Sequence, residues 1–321
     1  MIQIREQLNE LGAKRTPFLF IFDFDLAKPV ILPLDEIDPE TVRYNFNGVT
    51  NVADSKTRRQ DFSLSARPMP FEAYERKFNA VVRHLQEGHS YLVNLTQPTP
   101  IDTNCSLREL FDLGQAKYKV LYQDRFVFFS PEIFVQIRDH EISTYPMKGT
   151  RDACTPDAER ALLEDTKEAA EHLTVVDLLR NDLGIVAGAI TVDHYRYLDR
   201  ITTHRGELLQ MSSKITGRIT SSWNETLGDI LLSLLPAGSV TGAPKKKTVE
   251  IIKEIEGYER GYYTGVCGIF TGTTLDSCVM IRFIEQTDRD TVFKSGGGIT
   301  VYSSARSEYN EMLEKVYVPI A

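Results

Sequence analysis

The sequence predicts a protein built from both helices and strands, because it contains segments with each periodicity. The run Pro17 to Phe24 contains four phenylalanines and one isoleucine, strong β-formers that are typical of a strand. From Phe71 the apolar residues instead recur at helical spacing as far as Leu85, and Gly88 can close that helix. A chain of 321 residues is long enough to bury a large core in one or two domains.

Composition favours a soluble enzyme or binding protein over a nucleic-acid or membrane protein. Charged residues make up 26% of the chain and hydrophobic residues 42%, and 37 basic side chains oppose 45 acidic ones. The longest basic run is Lys245 to Lys247, so we do not expect a general nucleic-acid surface. No apolar run could span a bilayer and the N-terminus lacks a signal-peptide core, so we expect a cytoplasmic protein. Four cysteines without metal-binding spacing are expected to be buried thiols.

The stretch LPAGSVTGAPKKKTVEIIKEIEG, residues 235 to 257, predicts a glycine-containing loop followed by an amphipathic helix. Pro244 suits the helix start and Gly257 its end. Glycines allow a ligand to approach the backbone, the hydroxyls of Ser239 and Thr241 can bind it, and a helix N-terminus favours an anion. The expected ligand is therefore anionic. The alternative is an ordinary connection with solvated lysines.

Several strands are predicted between residues 90 and 150. Ser90 to Gln97 alternates like a strand and is expected to end at Pro98, and Tyr118 to Phe129 predicts two strands around a turn at Gln123-Asp124. In a further strand, Lys148 lies between apolar and turn residues and directly before a glycine. A lysine in this setting is usually solvated, but a partly buried one can act as a nucleophile or base.

Two predicted helices each carry a pair of glutamates three residues apart. Residues 165 to 184 predict a helix with Thr166 as N-cap, Gly184 just past its end, and Leu173, Val176 and Leu179 on its buried face. Residues 304 to 318 predict the last helix. The glutamate pairs are Glu168 with Glu171, and Glu308 with Glu311, which shares its helix face with Lys315. Such pairs can build an all-oxygen Mg²⁺ site, although paired acids on a solvated face are common.

Two strand-like runs near the C-terminus form a predicted hairpin, residues 262 to 270 and 277 to 284. The second places Arg282 among apolar residues, where a buried guanidinium needs an anionic partner. Residues 294 to 299 then predict a strand with three glycines, whose backbone N–H groups can also meet a carboxylate.

Taken together, these stretches resemble the chorismate-utilising enzymes, which include anthranilate, aminodeoxychorismate, isochorismate and salicylate synthases. The matching text is PMKGTRD, EAAEHLTVVDLLRNDLG, the 235 to 257 stretch, RGYYTGVCGIF, MIRF, SGGGI and EYNEMLEK, and it covers most of residues 68 to 318. The resemblance implies an α+β fold of two large facing β-sheets with helices packed outside. It also implies a single chorismate-binding domain over residues 1 to 321, with a shortened N-terminal portion in residues 1 to 67.

The resemblance further implies chorismate, a small dicarboxylate, as substrate and Mg²⁺ as cofactor. The family's metal ligands correspond to Glu171 and Glu311, with Glu168 and Glu308 close behind. Its substrate contacts correspond to a further set of residues: Thr150, Ser239, Tyr263, Arg282, Gly297, Gly298 and Lys315.

Three positions bear on the subfamily. Isochorismate and salicylate synthases have a lysine base where this chain has Leu92, and anthranilate synthases typically have alanine where it has Lys148. Lys148 resembles the lysine of aminodeoxychorismate synthase component I, thought to attack ring C2, and Glu132 resembles its general acid. We therefore expect 4-amination of chorismate, with anthranilate synthase component I as the alternative. A non-catalytic binding subunit is a third hypothesis, which retention of the site residues disfavours.

Two departures from the family pattern limit the expected chemistry. Gln210 stands where the family usually has a pocket histidine. No cysteine has the Gly-x-Cys-x-Gly setting of a glutaminase nucleophile, so ammonia is expected from a separate glutamine amidotransferase subunit or from solution.

Overall fold

The computed structural model of the protein describes residues 2–53, 61–203 and 206–320. Within these ranges, none of the helices combines the length and apolar character that crossing a lipid bilayer requires. All four cysteines lie in the described ranges and none forms a disulfide; three are buried, as expected, and Cys154 is exposed.

The described residues form eight α-helices. In chain order they are α1 (Ile2–Ala13), α2 (Phe71–Gln86), α3 (Leu107–Leu113), α4 (Ala158–Glu164), α5 (Thr166–Val186), α6 (Leu227–Leu234), α7 (Lys245–Glu256) and α8 (Ala305–Glu314).

The same residues form eighteen strands. In chain order they are β1 (Phe18–Phe22), β2 (Val30–Pro33), β3 (Val42–Phe46), β4 (Val49–Thr50), β5 (Leu64–Ala66), β6 (Leu92–Thr103), β7 (Tyr118–Tyr122), β8 (Phe126–Ser130), β9 (Ile133–Arg138), β10 (Glu141–Thr144), β11 (Met147–Asp152), β12 (Gly188–Thr203), β13 (Gly206–Arg218), β14 (Gly242–Ala243), β15 (Val266–Phe270), β16 (Leu275–Val279), β17 (Phe283–Gln286) and β18 (Thr291–Ile299).

The chain divides into two compact units, each built on one nine-stranded sheet. The first unit comprises Met1–Glu36, Glu132–Ser239 and Val266–Val279. Its strands run in the order β11-β13-β10-β9-β16-β15-β1-β2, with β12 also paired to β13. All five residues of β1 are buried, which explains why this strand is apolar throughout rather than alternating.

The second unit comprises Ile37–Pro131, Val240–Gly265 and Met280–Ala321. Its strands run in the order β14-β6-β18-β17-β8-β7-β3-β4, with β5 paired to β6. The predicted turn between β7 and β8 is confirmed, since Gln123 and Asp124 both have positive φ. Two large antiparallel sheets with helices confirm the predicted α+β class.

Strand β6 is longer than predicted, because it continues through Pro98 and Pro100 to Thr103. The strand pairs with β18 along one edge. On its other edge, β14 pairs with Leu92 and Val93, and β5 pairs with Ile101 to Thr103. A proline between those pairings removes no ladder hydrogen bond, so the two prolines do not end the strand.

The predicted hairpin is confirmed for β15 and β16, which pair antiparallel, but its second strand does not run on to residue 284. The chain leaves the first unit's sheet after Val279 and joins the second unit's sheet at Phe283. Between them Arg282 has a φ of 52°, a left-handed conformation that interrupts a strand. Arg282 is therefore half-buried in a connection rather than buried in a strand.

Helix α5 also differs from its prediction. Thr166 is the first helical residue, and the side chain of Asp165 accepts the N–H of Glu168 at 3.1 Å, as an N-cap does. The helix continues two residues beyond Gly184. Val176 and Leu179 are buried as expected, but Leu173 is 56% exposed. The face that α5 buries is thus rotated towards His172 and Val175, which are also buried.

The helices on either side of the predicted loop behave as expected. Helix α7 follows Pro244 and ends at Gly257, which has a φ of 68° in the left-handed region. Helix α2 ends before Gly88, which has a φ of 75°. In both cases the glycine adopts a conformation that a side chain would disfavour. Helix α8 follows Ser304 but ends at Glu314, four residues before the predicted end.

Candidate active site

In the first unit, Glu132 and Ser239 are joined by a hydrogen bond. Ser239 lies in a single 3₁₀ turn, Gly238–Val240, and its hydroxyl donates to Oε1 of Glu132. The backbone carbonyl of Glu132 accepts the N–H of Val279 at 3.1 Å. Hydrogen bonds therefore fix both the backbone and the side-chain carboxylate of Glu132. This pair joins a predicted general acid to a predicted substrate contact.

Lys148 lies half-buried on β11, beside the start of α5. The next residue, Gly149, has a φ of +82°, and a Cβ there would lie 3.1 Å from Oε2 of Glu168. A side chain at position 149 would thus press on a predicted metal ligand. The predicted contact Thr150 follows on the same strand, but its side chain lies outside the described part of the structure.

Gln210 supports this segment of β11 from the neighbouring strand. Its side-chain N–H donates to the carbonyl oxygen of Gly149 at 3.0 Å. In the antiparallel register Gln210 lies opposite Thr150. The amide that replaces the family's usual histidine therefore has a positioning contact with the backbone next to Lys148.

His172 is a buried group that the sequence reasoning missed. Its side chain has no exposed surface, and Nε2 lies 2.7 Å from Oγ of Ser213, which also accepts the N–H of Arg196 at 2.9 Å. Within the described part of the chain, Nδ1 has no hydrogen-bond partner. Burial, reinforced by the positive charges of Arg196 and Lys148, lowers the pKa of His172 to about 4. The imidazole is therefore neutral at neutral pH.

The first glutamate pair lies on the opening turns of α5. Glu168 and Glu171 are both half-buried, and the residue after the second is His172. In the sequence, the available signal for His172 was that a histidine directly follows a predicted metal ligand, Glu171. The pair, Lys148 and the neutral imidazole therefore belong to one region of the first unit.

In the second unit, the structure brings four of the predicted residues together. We call Gly297, Glu308, Glu311 and Lys315 the glycine-glutamate cluster. A Cβ on Gly297 would lie 3.3 Å from Oε2 of Glu308, 3.7 Å from Oε1 of Glu311 and 3.7 Å from Nζ of Lys315. Nζ of Lys315 contacts Oε1 of Glu311 at 2.7 Å and donates to the carbonyl of Gly296 at 2.9 Å. Because Gly297 has no side chain, the side chains of Glu308, Glu311 and Lys315 can lie close to its backbone.

The cluster concentrates negative charge. Glu308 is only 4% exposed, whereas the Glu311 side chain is about half exposed. Burial, together with the carboxylates of Glu308 and Glu311, raises the pKa of the Tyr74 phenol, which shows that this charge acts on neighbouring groups. A buried carboxylate is costly unless a cation or hydrogen bonds compensate it. With its oxygen donors, the cluster suits a hard cation such as Mg²⁺.

The remaining predicted contacts of the second unit are Arg282, Tyr263 and Gly298. The Arg282 guanidinium stacks over the Tyr317 ring at 4.7 Å, and Nη1 lies 3.5 Å from the carbonyl of Lys315. Tyr263 is 4% exposed and lies 6.0 Å from Phe283, measured between ring centroids. Gly298 pairs with Asn94 in the β18 to β6 ladder.

A buried ion pair, also missed from the sequence, supports these contacts. Glu256 and Arg260 are each about 1% exposed at the side chain. Nε and Nη2 of Arg260 contact the two carboxylate oxygens of Glu256 at 2.9 and 2.7 Å. The pair has the bidentate geometry that makes arginine contacts strong. No periodicity marks it, because Glu256 ends a helix and Arg260 follows in a loop.

Both members of the pair also form hydrogen bonds with surrounding groups. Arg260 donates to the carbonyls of Val240 and Asn94 at 2.8 and 2.7 Å, and Glu256 accepts the N–H and the hydroxyl of Thr96. It therefore ties the loop after Val240 to β6. The N–H of Tyr263 donates to the Arg260 carbonyl at 3.2 Å, so the pair also positions this predicted contact.

Comparison with known proteins agrees with the resemblance in the sequence. The profile of a family described as chorismate binding enzyme matches residues 34–321. A Haemophilus influenzae protein named "uncharacterized PabA-like protein" is 51% identical over 315 residues, which are 98% of this chain and 96% of that protein. An anthranilate synthase component 1 from Cereibacter sphaeroides is 39% identical over 58% of this chain and 38% of its own length.

Among solved structures, an isochorismate synthase from Bacillus anthracis, described as 2,3-dihydroxybenzoate-specific, superposes with a TM-score of 0.73 at 19% identity, covering 97% of this chain and 87% of its own. The menaquinone-specific isochorismate synthase MenF from Escherichia coli gives a TM-score of 0.74 at 16% identity, covering 98% of this chain and 80% of its own. At such identities the likeness concerns the fold alone. The profile match and the full-length relative together show that this chain belongs to the chorismate binding enzyme family.

Proposed function

We propose that the protein is component I of an aminodeoxychorismate synthase, which replaces the C4 hydroxyl of chorismate with an amino group. The product would be 4-amino-4-deoxychorismate, with its enolpyruvyl group retained, on the route to p-aminobenzoate and folate. The observation that carries this proposal is Lys148, half-buried on β11 beside the glutamate pair of α5. The word PabA-like in the names of two relatives, from Haemophilus influenzae and Pasteurella multocida, supports it.

Lys148 is the proposed nucleophile. Its amine attacks ring C2 while both ring double bonds shift and the C4 hydroxyl, protonated by the general acid, departs as water. Ammonia then attacks C4, both double bonds shift back, and the C2 bond to the lysine nitrogen breaks.

Glu132 is the proposed general acid for the departing hydroxyl. Its hydrogen bond with Ser239 supports this role, because it restricts the carboxyl group to one orientation. Gln210 holds the backbone beside Lys148 through Gly149, a positioning task that does not require the acid-base chemistry of a histidine.

The glycine-glutamate cluster, Arg282 and Tyr263 are proposed to bind chorismate carboxylate through backbone N–H groups and the guanidinium. Glu311 with Glu308, and Glu171 with Glu168, are the proposed Mg²⁺ ligands, and both pairs are needed for turnover. When bound, Mg²⁺ supplies charge neutralisation and a template for the anionic substrate. For Glu311 to bind Mg²⁺, its ion pair with Lys315 would have to lengthen or break, or the carboxylate would have to contact both cations.

Ammonia is proposed to come from a separate glutamine amidotransferase subunit, in the cytoplasm. Isochorismate formation is not favoured, because Leu92 is 2% exposed and cannot activate water. Anthranilate synthase component I remains the second candidate. It is favoured by the names of relatives such as that from Cereibacter sphaeroides.

The test is mass-resolved product analysis of chorismate incubated with Mg²⁺ and ammonium. We expect an aminated product that keeps its enolpyruvyl mass. Lys148→Ala and Lys148→Arg should both reduce the rate of its formation by more than about 100-fold, which is the lower end of the rate contribution of a catalytic side chain. The arginine variant keeps the positive charge but not the nucleophile, and Lys214→Ala, on β13, controls for removing a lysine. Release of pyruvate with a fluorescent aromatic amine would establish the anthranilate alternative instead.

A further inference from the structure

Two histidines and a glutamate converge at the C-terminal end of α2, and none of them belongs to the proposed active site. His84 lies in the last turn of α2, Glu87 caps it and His89 follows. The Nδ1 atoms of the two imidazoles are 3.0 Å apart, and Nδ1 of His89 lies 3.4 Å from Oε2 of Glu87. The three ligand atoms all lie within 4.8 Å of one another.

The backbone builds this arrangement. Gly88, with its φ of 75°, turns the chain back, and the N–H of His89 donates to the carbonyl of His84 at 2.9 Å. His89 is thereby folded over the last helical turn. The negative end of the helix dipole lies at the same place and favours a bound cation.

A fourth residue lies on the outer side of His84. Nε2 of His84 faces Oε2 of Glu254, on α7, at 3.8 Å, an ion-pair distance that is longer than a hydrogen bond. A carboxylate on that side favours the tautomer with its proton on Nε2, which leaves the lone pair of Nδ1 directed into the cluster. Metal-binding histidines commonly donate this N–H to an outer carboxylate, and Glu254 is the residue placed to accept it.

We propose that His84, Glu87 and His89 form a site for a borderline divalent transition-metal ion such as Zn²⁺. Metal to nitrogen distances of 2.0–2.1 Å in a tetrahedral site place neighbouring ligand atoms about 3.3 Å apart, close to the observed 3.0 and 3.4 Å. Imidazole nitrogens suit Zn²⁺, Cu²⁺ and Ni²⁺, whereas Mg²⁺ prefers oxygen. The His89 side chain is 44% exposed and that of Glu87 52% exposed, so an ion can enter and water can complete its shell.

The position of the site gives it a structural role. The next residue, Ser90, donates to the carbonyl of Ala243 at 2.8 Å and lies 3.0 Å from the Thr248 hydroxyl. A metal that fixes His89 to α2 therefore also fixes the start of β6 against α7. Metal binding should raise the thermal unfolding temperature, because it stabilises only the folded chain.

The test is titration of the full chain, without a histidine tag, with Zn²⁺ and with Co²⁺, whose visible absorption reports tetrahedral coordination. Wild type should bind one ion per chain and melt at a higher temperature with it. His84→Ala and His89→Ala should weaken binding by more than about 100-fold, and Glu254→Gln by about 10- to 100-fold as an outer partner.

Two controls separate this site from other metal-binding groups. His194→Ala removes an exposed histidine of the first unit, and Glu311→Ala removes a proposed Mg²⁺ ligand; both should keep wild-type Zn²⁺ affinity. Mg²⁺ at the same concentration should not compete. Equal affinity in wild type and His84→Ala, with unchanged melting of the apo proteins, would overturn the proposal, as would loss of binding in Glu311→Ala alone.

Discussion

The two units hold their buried polar groups in different ways. In the second unit, Glu256 and Arg260 are buried as a charged pair, and Arg260 also donates to the carbonyls of Asn94 and Val240 and to the Thr264 hydroxyl. In the first unit the fully buried His172 is neutral and shares one hydroxyl, that of Ser213, with a backbone N–H.

This difference matches the tasks proposed for the two regions. Carboxylate binding needs fixed backbone N–H groups and a fixed guanidinium, which a compensated ion pair can hold rigidly. Nucleophilic attack by a lysine needs the neutral amine, and burial favours the neutral form of a basic group, as it does for His172. The surroundings of Arg260 are thus held by charged contacts, whereas His172 is held as a neutral group.

The largest expected effect tests that contrast directly. Arg260→Met should lower the free energy of unfolding by about 3–5 kcal/mol, because it leaves the buried Glu256 carboxylate without its partner. In the first unit, Ser213→Ala should cost only about 1–3 kcal/mol, the range for a neutral buried group that loses its partner. Urea denaturation of the two variants measures both values. Equal losses would mean that the two units do not differ in this respect.

The second prediction concerns the glutamate pairs. Glu311→Ala and Glu171→Ala should each reduce Mg²⁺-dependent turnover of chorismate by more than about 100-fold, since even outer partners of a metal are worth 10- to 100-fold. Glu314→Ala, at an exposed position of the same helix as Glu311, is the matched control. Steady-state kinetics over a range of Mg²⁺ concentrations gives the comparison. Unchanged turnover in either variant would refute that residue as a metal ligand.

The smallest expected effect comes from two adjacent glycines of β18. A Cβ on Gly296 would lie 2.3 Å from the backbone oxygen of Leu95, so Gly296→Ala should destabilise the fold by about 1–3 kcal/mol. On Gly297 it would meet the ends of flexible side chains at 3.3 Å or more. Gly297→Ala should therefore keep its stability and raise the KM for chorismate about tenfold, a loss of about 1.4 kcal/mol. Thermal melting and kinetics separate the two outcomes, and a reversed pattern would contradict the cluster.

Local sequence signals determined several elements correctly. Helices α2 and α7 were predicted with the glycines that follow them, and the turn between β7 and β8 was predicted at Gln123 and Asp124. These features depend on interactions between residues a few positions apart, which a single sequence displays as periodicity and as residues suited to unusual φ values. The motifs that resemble the chorismate-utilising enzymes likewise identified the family, since they occur in the family's order over most of the chain.

Only the tertiary structure decided which sheet each strand joins and which distant groups compensate one another. Apart from Ser277 and Arg282 the run 277 to 284 is apolar, and nothing local shows that it divides at Arg282 between two sheets. Proline predicted an end to β6, but Pro98 and Pro100 lie between its pairings with β14 and β5, so the strand continues. Likewise, the bidentate contact of Arg260 with Glu256 and the burial of His172 against Ser213 depend on chain segments brought together only by folding. Residue type and spacing encode a side chain's chemistry, whereas its burial and partners depend on contacts between residues far apart in the chain.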